Sequence, residues 1–300
     1  MLGWLFGFLW LAVLKAWLGA HLSLDADALG VAGLWNSLAA GGHLGDWTMG
    51  PHPYLFPDLP LYGLGTLWCK GVAARQLVFG LVQGCLLWLF LARLMGRLAG
   101  LGSSLARAYA AAGLLLLLPF CNASNGLGRA LVPGYHGGAL LCGLGLLAWS
   151  ARQDRNPSSL SGTLWAGFWV GLVWASDQLT PGLAVLPALV FSLGLSGRAR
   201  HRVWGASFLA GMCRWGALEI LQVLGMRVAR FQWKFLETHF RQQWDAFLGL
   251  SPAALHHAAF PLILSLLALG LLAWGRRGGP LEPRFAAAAL SSALLGLVVA

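Results

Sequence analysis

Three hundred residues, 58% of them hydrophobic and only 10% charged, with a mean hydropathy of +0.70, exclude an ordinary soluble domain. A soluble protein of this size is about a quarter charged. The net charge of +10 would suggest nucleic acid in a soluble protein, but here the basic residues fall in short clusters between apolar runs. They read as orientation signals for a membrane, and no nucleic-acid partner is expected. The expected fold is therefore all-α, a polytopic transmembrane helix bundle, because only helices and closed barrels satisfy the backbone in lipid. The apolar runs are too long and continuous for a barrel's alternation.

In chain order, Leu2 to about Gly19 forms the first span, read as a retained helix that starts inside. A polar interruption follows from His21 to Tyr62. It holds Asp25, Asp27, Asp46 and Asp58, is dense in turn formers and contains no Lys or Arg. With the short amphipathic segment Leu59–Trp68 placed on the membrane surface, residues 21–75 make a long first extracytoplasmic loop containing surface helices. Further spans are expected at about 76–92, 105–120, 137–150, 162–175, 181–196, 203–222, 257–274 and 285–300, about nine in all. Alternate loops then contain eleven arginines, at 93, 97, 107, 152, 155, 198, 200, 202, 276, 277 and 284, which the positive-inside rule assigns to the cytoplasm. Eight of the ten acids and seven of the eight histidines face outward. The expected location is the bacterial inner membrane, N-terminus cytoplasmic, with the whole chain one transmembrane domain. The apolar end, LLGLVVA, stops in mid-helix and reads as a piece of a longer protein.

Chemistry is expected in the outer loops. Asp25 fits either the N-cap of a surface helix from Ala26 to Ala40 or a general base at the membrane surface, a role worth about 10²–10⁴-fold in rate. Asp27 is its neighbour. The rigid aromatic and proline loop Gly45–Tyr62 presents Asp46, His52 and Asp58 as substrate-binding candidates, and Trp47, Tyr54 and Phe56 suit the headgroup region. An acid just after the first span, a surface helix, then a proline-rich aromatic turn entering an amphipathic segment resembles the first loop of GT-C glycosyltransferases. Those polytopic enzymes include the protein mannosyltransferases and lipid A aminoarabinose transferases. The likeness runs over residues 1–180 and lies in arrangement more than identity. It implies that Asp25 is the catalytic base, with Asp27 beside it, and that the donor is a polyprenyl-phosphate-linked sugar. The family's His-Pro-Pro-Leu-like turn reads Phe56-Pro57-Asp58-Leu59-Pro60-Leu61 here, without the histidine.

In the second outer loop, Arg129 and His136 sit among glycines that let a ligand approach the backbone. In the third, Asp177 and Gln178 lie at the bundle mouth, with Thr180 read as an N-cap and Pro181 at the first helical position. Arg214 and Glu219 interrupt an apolar run at about 2.5–3.5 kcal/mol each at mid-membrane, so each is expected near its end or paired. From Met226, Arg227, Arg230, Lys234, Glu237 and Arg241 recur at helical spacing beside an aromatic stripe. That pattern predicts an interfacial amphipathic helix in an extracytoplasmic segment, 226–256, attracted to membrane lipid or to a donor phosphate.

The five cysteines show no zinc spacing, so no metal ligands are assigned, while a divalent metal joining the acids stays open. The function expected is sugar transfer from a polyprenyl-phosphate donor to an acceptor at the outer face. The alternatives are a transporter or flippase of a lipid-linked or small substrate, and a non-catalytic membrane assembly subunit.

Overall fold

A computed structural model describes residues 1–21, 26–50, 52–98, 100–118, 131, 136–153 and 159–229. The described residues are mostly helical. In chain order they form α1 (Leu2–His21), α2 (Ala26–Ala39), a 3₁₀ turn (Leu44–Asp46), β1 (Thr48–Met49), α3 (Asp58–Gly65), α4 (Val72–Leu98), α5 (Ser103–Leu117) and α6 (Gly137–Gln153). They continue with α7 (Leu160–Ser176), a π-type turn (Pro181–Val185), α8 (Leu186–Ser192), α9 (Gly197–Val223) and β2 (Arg227–Val228). Among the described residues, two stretches are long and apolar enough to cross a membrane, Leu2–His21 and Val72–Arg97. The expected spans 257–274 and 285–300 lie outside the described residues.

The long helices alternate in direction. Gly3 N–H donates to Ser104 Oγ (3.2 Å) and the Arg107 guanidinium lies 4.5 Å over the Trp4 ring, so α1 and α5 start together. At the end of α4, Arg97 donates to the Ala148 carbonyl near the end of α6, and Arg93 and Arg152 face it. Helices α7 and α9 run parallel: a Cβ on Gly167 would lie 2.8 Å from the Ala206 oxygen, and one on Gly171 would lie 2.7 Å from the Ala210 oxygen. Both helices present small residues four apart at this crossing, which lets the backbones meet closely. The described arginines of the turns thus gather at one end of the bundle. The first polar loop, the start of α6 and the end of α7 gather at the other.

One core cluster stacks Trp10, Leu14 and Leu18 of α1, spaced along one face, against Leu87 and Trp88 of α4 and Leu114 of α5. A second joins α6 to α7, α8 and α9 through Leu146, Val170, Phe191, Val203 and Ala210. A third seats the first loop: Val31 and Ala32 of α2 and Tyr62 of α3 pack on Phe79 of α4. The outer faces are also apolar. Phe8, Trp165, Phe208 and Trp215 are 61–74% exposed, and on α9 Trp204, Phe208, Met212 and Trp215 form one exposed stripe. Exposed apolar surface on this scale marks a face that contacts something other than water.

Three expectations change. The 181–196 segment is a π-type turn running into a seven-residue helix rather than one continuous helix. Pro187 lacks the N–H that the Leu183 carbonyl would take, and the Leu186 N–H reaches back to the Pro181 oxygen instead. Thr180 sits at the N-cap position before Pro181 as expected, but its backbone is already helical and its side chain makes no capping bond. The amphipathic helix expected from Met226 does not begin there. Gly225 adopts φ +83°, which breaks α9, and Arg227–Val228 pair in parallel with Thr48–Met49. The rest of that segment, from residue 230, lies outside the described residues.

Candidate functional site

The residues that converge come from three separate loops at one end of the bundle. Helix α7 ends at Ser176, where Asp177 turns extended, and Asp177 then organises the next turn itself: its Oδ1 accepts the Leu179 N–H (2.9 Å) and its carbonyl accepts the Thr180 N–H (3.1 Å). The first loop is tied onto the same place. Tyr54 N–H donates to the Ser176 carbonyl (3.0 Å) and Phe56 N–H to Ser176 Oγ (2.8 Å), with Phe56 stacked on Trp169 at 4.9 Å. Tyr54 holds a left-handed backbone (φ 49°), a conformation that costs about 1–3 kcal/mol and is kept by these bonds. At the start of α6, Gly138 admits the turn: a Cβ there would run into Pro57 and lie 3.3 Å from Asp58 Oδ1.

These ties bring His52, His136 and Asp177 together. His52 Nδ1 lies 3.0 Å from Asp177 Oδ1, and His136 Nδ1 lies 3.0 and 2.9 Å from Oδ1 and Oδ2. The Asp177 side chain is 4% exposed, those of His52 and His136 17% and 26%. The two imidazoles meet edge to face at 5.0 Å, and the Tyr54 ring lies 5.9 Å from His52 and 6.0 Å from His136. Burial by itself pushes the Asp177 carboxyl up. The His136 charge and hydrogen bond, and then those of His52, outweigh it and hold the group well below the usual carboxylate range.

Next to this cluster, Gln178 Oε1 accepts from Arg214 Nη2 (3.0 Å), and the guanidinium lies 5.6 Å over the Trp174 ring. That pairing meets the expectation that a charge inside α9 would need a partner. Arg214 Nε is buried with no protein acceptor among the described residues. From Trp174 an apolar groove of about 660 Å³ runs between α8 and α9, lined by Val185, Leu189, Trp204, Phe208 and Met212 among others.

The other candidates lie apart from the cluster or outside the description. Asp58 opens α3, 2% exposed, with its Oδ1 against Gly138 at the start of α6. Asp46 is exposed and closes its own 3₁₀ turn, accepting the His43 N–H at 2.9 Å. Arg227 is exposed in β2, its N–H bonded to the Trp47 carbonyl (3.2 Å). Asp27 belongs to the first turn of α2, with its side chain outside the description. Asp25, Arg129, Arg230 and Lys234 lie outside the described residues. Sequence reasoning did not foresee the parts of Ser176, Tyr54 and Arg214 in the site. Ser176 carried no signal beyond its place before Asp177, whereas a lone arginine in an apolar run marks a polar partner that the sequence does not name. No family model, curated protein or solved structure matches this chain.

Proposed function

We propose that this chain is an integral membrane glycosyltransferase of the GT-C kind, moving a sugar from a polyprenyl-phosphate donor to an acceptor at the outer face. The observation that carries the reading is the apolar groove between α8 and α9 that opens at Trp174, beside the Arg214 guanidinium. An isoprenoid tail needs such a groove, and its phosphate needs a fixed cation where the groove ends. Arg214 offers that, with a buried Nε directed to no protein acceptor among the described residues. Gln178, which holds Arg214, follows Asp177 in the chain, so the phosphate end of a donor would lie next to the histidine–aspartate cluster. The exposed aromatic stripes on α7 and α9 and the small-residue crossing between those helices support a lipid surrounding.

In this reading Arg214 holds the leaving phosphate, His52, His136 and Asp177 line the sugar side, and Asp25 takes the acceptor's proton, a role that rests on the first-loop resemblance. Intact-lipid mass spectrometry of cells with and without the protein tests it. A lipid or envelope product heavier by one sugar residue is expected only in its presence. Asp25→Asn should lower its formation by about 10²–10⁴-fold, and Arg214→Leu should raise KM for the donor. Unchanged lipids, or variants as active as the parent, would refute the proposal. The same groove also suits a flippase, and movement of labelled polyprenyl-phosphate across vesicles without sugar transfer would favour that reading.

A further inference from the structure

We infer that His52, His136 and Asp177 form a binding site for one divalent transition-metal ion of the zinc class, with at least one coordination position open to the outside of the bundle. The inference stands whether or not the chain transfers sugar.

The three ligand atoms come from residues 41 and 125 positions away from or before Asp177 in the chain, yet all lie within 4.8 Å of one another. Ligands about 2.0–2.1 Å from a tetrahedral ion are spaced about 3.4 Å apart. The two histidine-to-carboxylate separations here are 2.9–3.0 Å, about half an ångström short of that spacing, and all three atoms lie within 4.8 Å of one another. Two imidazole nitrogens and one carboxylate oxygen are a borderline donor set. It suits zinc, iron(II) or cobalt(II) and is poor for magnesium or calcium, which want oxygen ligands.

The surroundings bear on the choice between a metal site and a plain hydrogen-bonded clasp. His52 Nδ1 also faces the Gln178 N–H (3.2 Å), a contact that a bound ion would replace. The arrangement has the shape of an open metal site. The carboxylate is buried and aimed by the Leu179 N–H, as outer-shell partners aim metal ligands. The two histidines are partly exposed on the outer side, where a water or substrate oxygen would complete the coordination.

The test uses the full chain, purified in detergent, stripped with a chelator and titrated with zinc chloride alone. One zinc per chain is expected by elemental analysis. His52→Gln and His136→Gln, both partly exposed and tolerant of an amide, should each weaken binding by at least about 100-fold. Cobalt(II) in place of zinc should give visible absorption of a four- or five-coordinate ion that disappears in His136→Gln. Excess zinc should raise Tm of the parent by about 5 °C or more, and leave the double variant unmoved. Zinc that fails to bind, or that binds the double variant as tightly as the parent, would overturn the inference. Tight binding of magnesium in preference to zinc would overturn its chemistry.

Discussion

Removing the Asp177 carboxylate tests the site most directly. In Asp177→Ala the Leu179 N–H loses its 2.9 Å acceptor, and two imidazoles lose the oxygen they meet at 2.9–3.0 Å. Hydrogen bonds to a charged group are worth about 1.5–3 kcal/mol each, but such terms overlap within one cluster. With that overlap the three bonds together are worth about 3–5 kcal/mol, and little solvent discount applies, because the carboxylate is 4% exposed and the histidines 17% and 26%. For a chain of this length about 1 kcal/mol corresponds to 2–4 °C, so Tm in detergent should fall by about 6–20 °C. The assay is thermal unfolding followed by tryptophan fluorescence, with Asp177→Asn as the companion variant. The amide oxygen still accepts the Leu179 N–H, so Asn should recover part of the loss. An alanine variant within about 2 °C of the parent, or an asparagine variant as stable as the parent, would refute the picture of a charged organising carboxylate.

Two other predictions follow from the same geometry. Because the folded Asp177 carboxyl is held below its unfolded value of about 3.9, its contribution is fully present above that pH and is lost as pH falls through the folded value. Acid titration of Tm should therefore show a decline below about pH 4 that is shallower in Asp177→Asn. At the parallel crossing of α7 and α9, Gly171→Leu should destabilise by about 3 kcal/mol or prevent folding, because its first carbon would already lie 2.5 Å from the Cys213 Cβ. Gly113→Ala in α5, where nothing lies within 4 Å, should be neutral or stabilising by up to about 1 kcal/mol when both are compared by denaturant unfolding.

Residue composition and spacing alone determine much of this protein. Long apolar runs give the order of the helices, and their ends are legible to within a few residues where Gly, Ser or Pro stops the pattern: the surface helix expected over Ala26–Ala40 is α2, Ala26–Ala39. The polar residues of the loops mark which segments can carry chemistry, because an apolar chain has few other places for them. His52, His136 and Asp177 were each visible as candidates on that ground. Their convergence was not. It depends on how the Tyr54–Phe56 turn docks on Ser176 and on the start of α6 coming close enough for Pro57 to sit on Gly138, both long-range matters of backbone approach. The capping role shows the same division: a Thr-Pro pair marks the helix start by local rule, yet the Thr180 side chain makes no cap bond, and it is the Asp177 carboxylate that takes a turn N–H, that of Leu179. Likewise the charge repeat after Met226 has helical period, but Arg227–Val228 pair with β1 because the first loop lies alongside. Local sequence sets what each segment can do, and tertiary approach decides which groups meet.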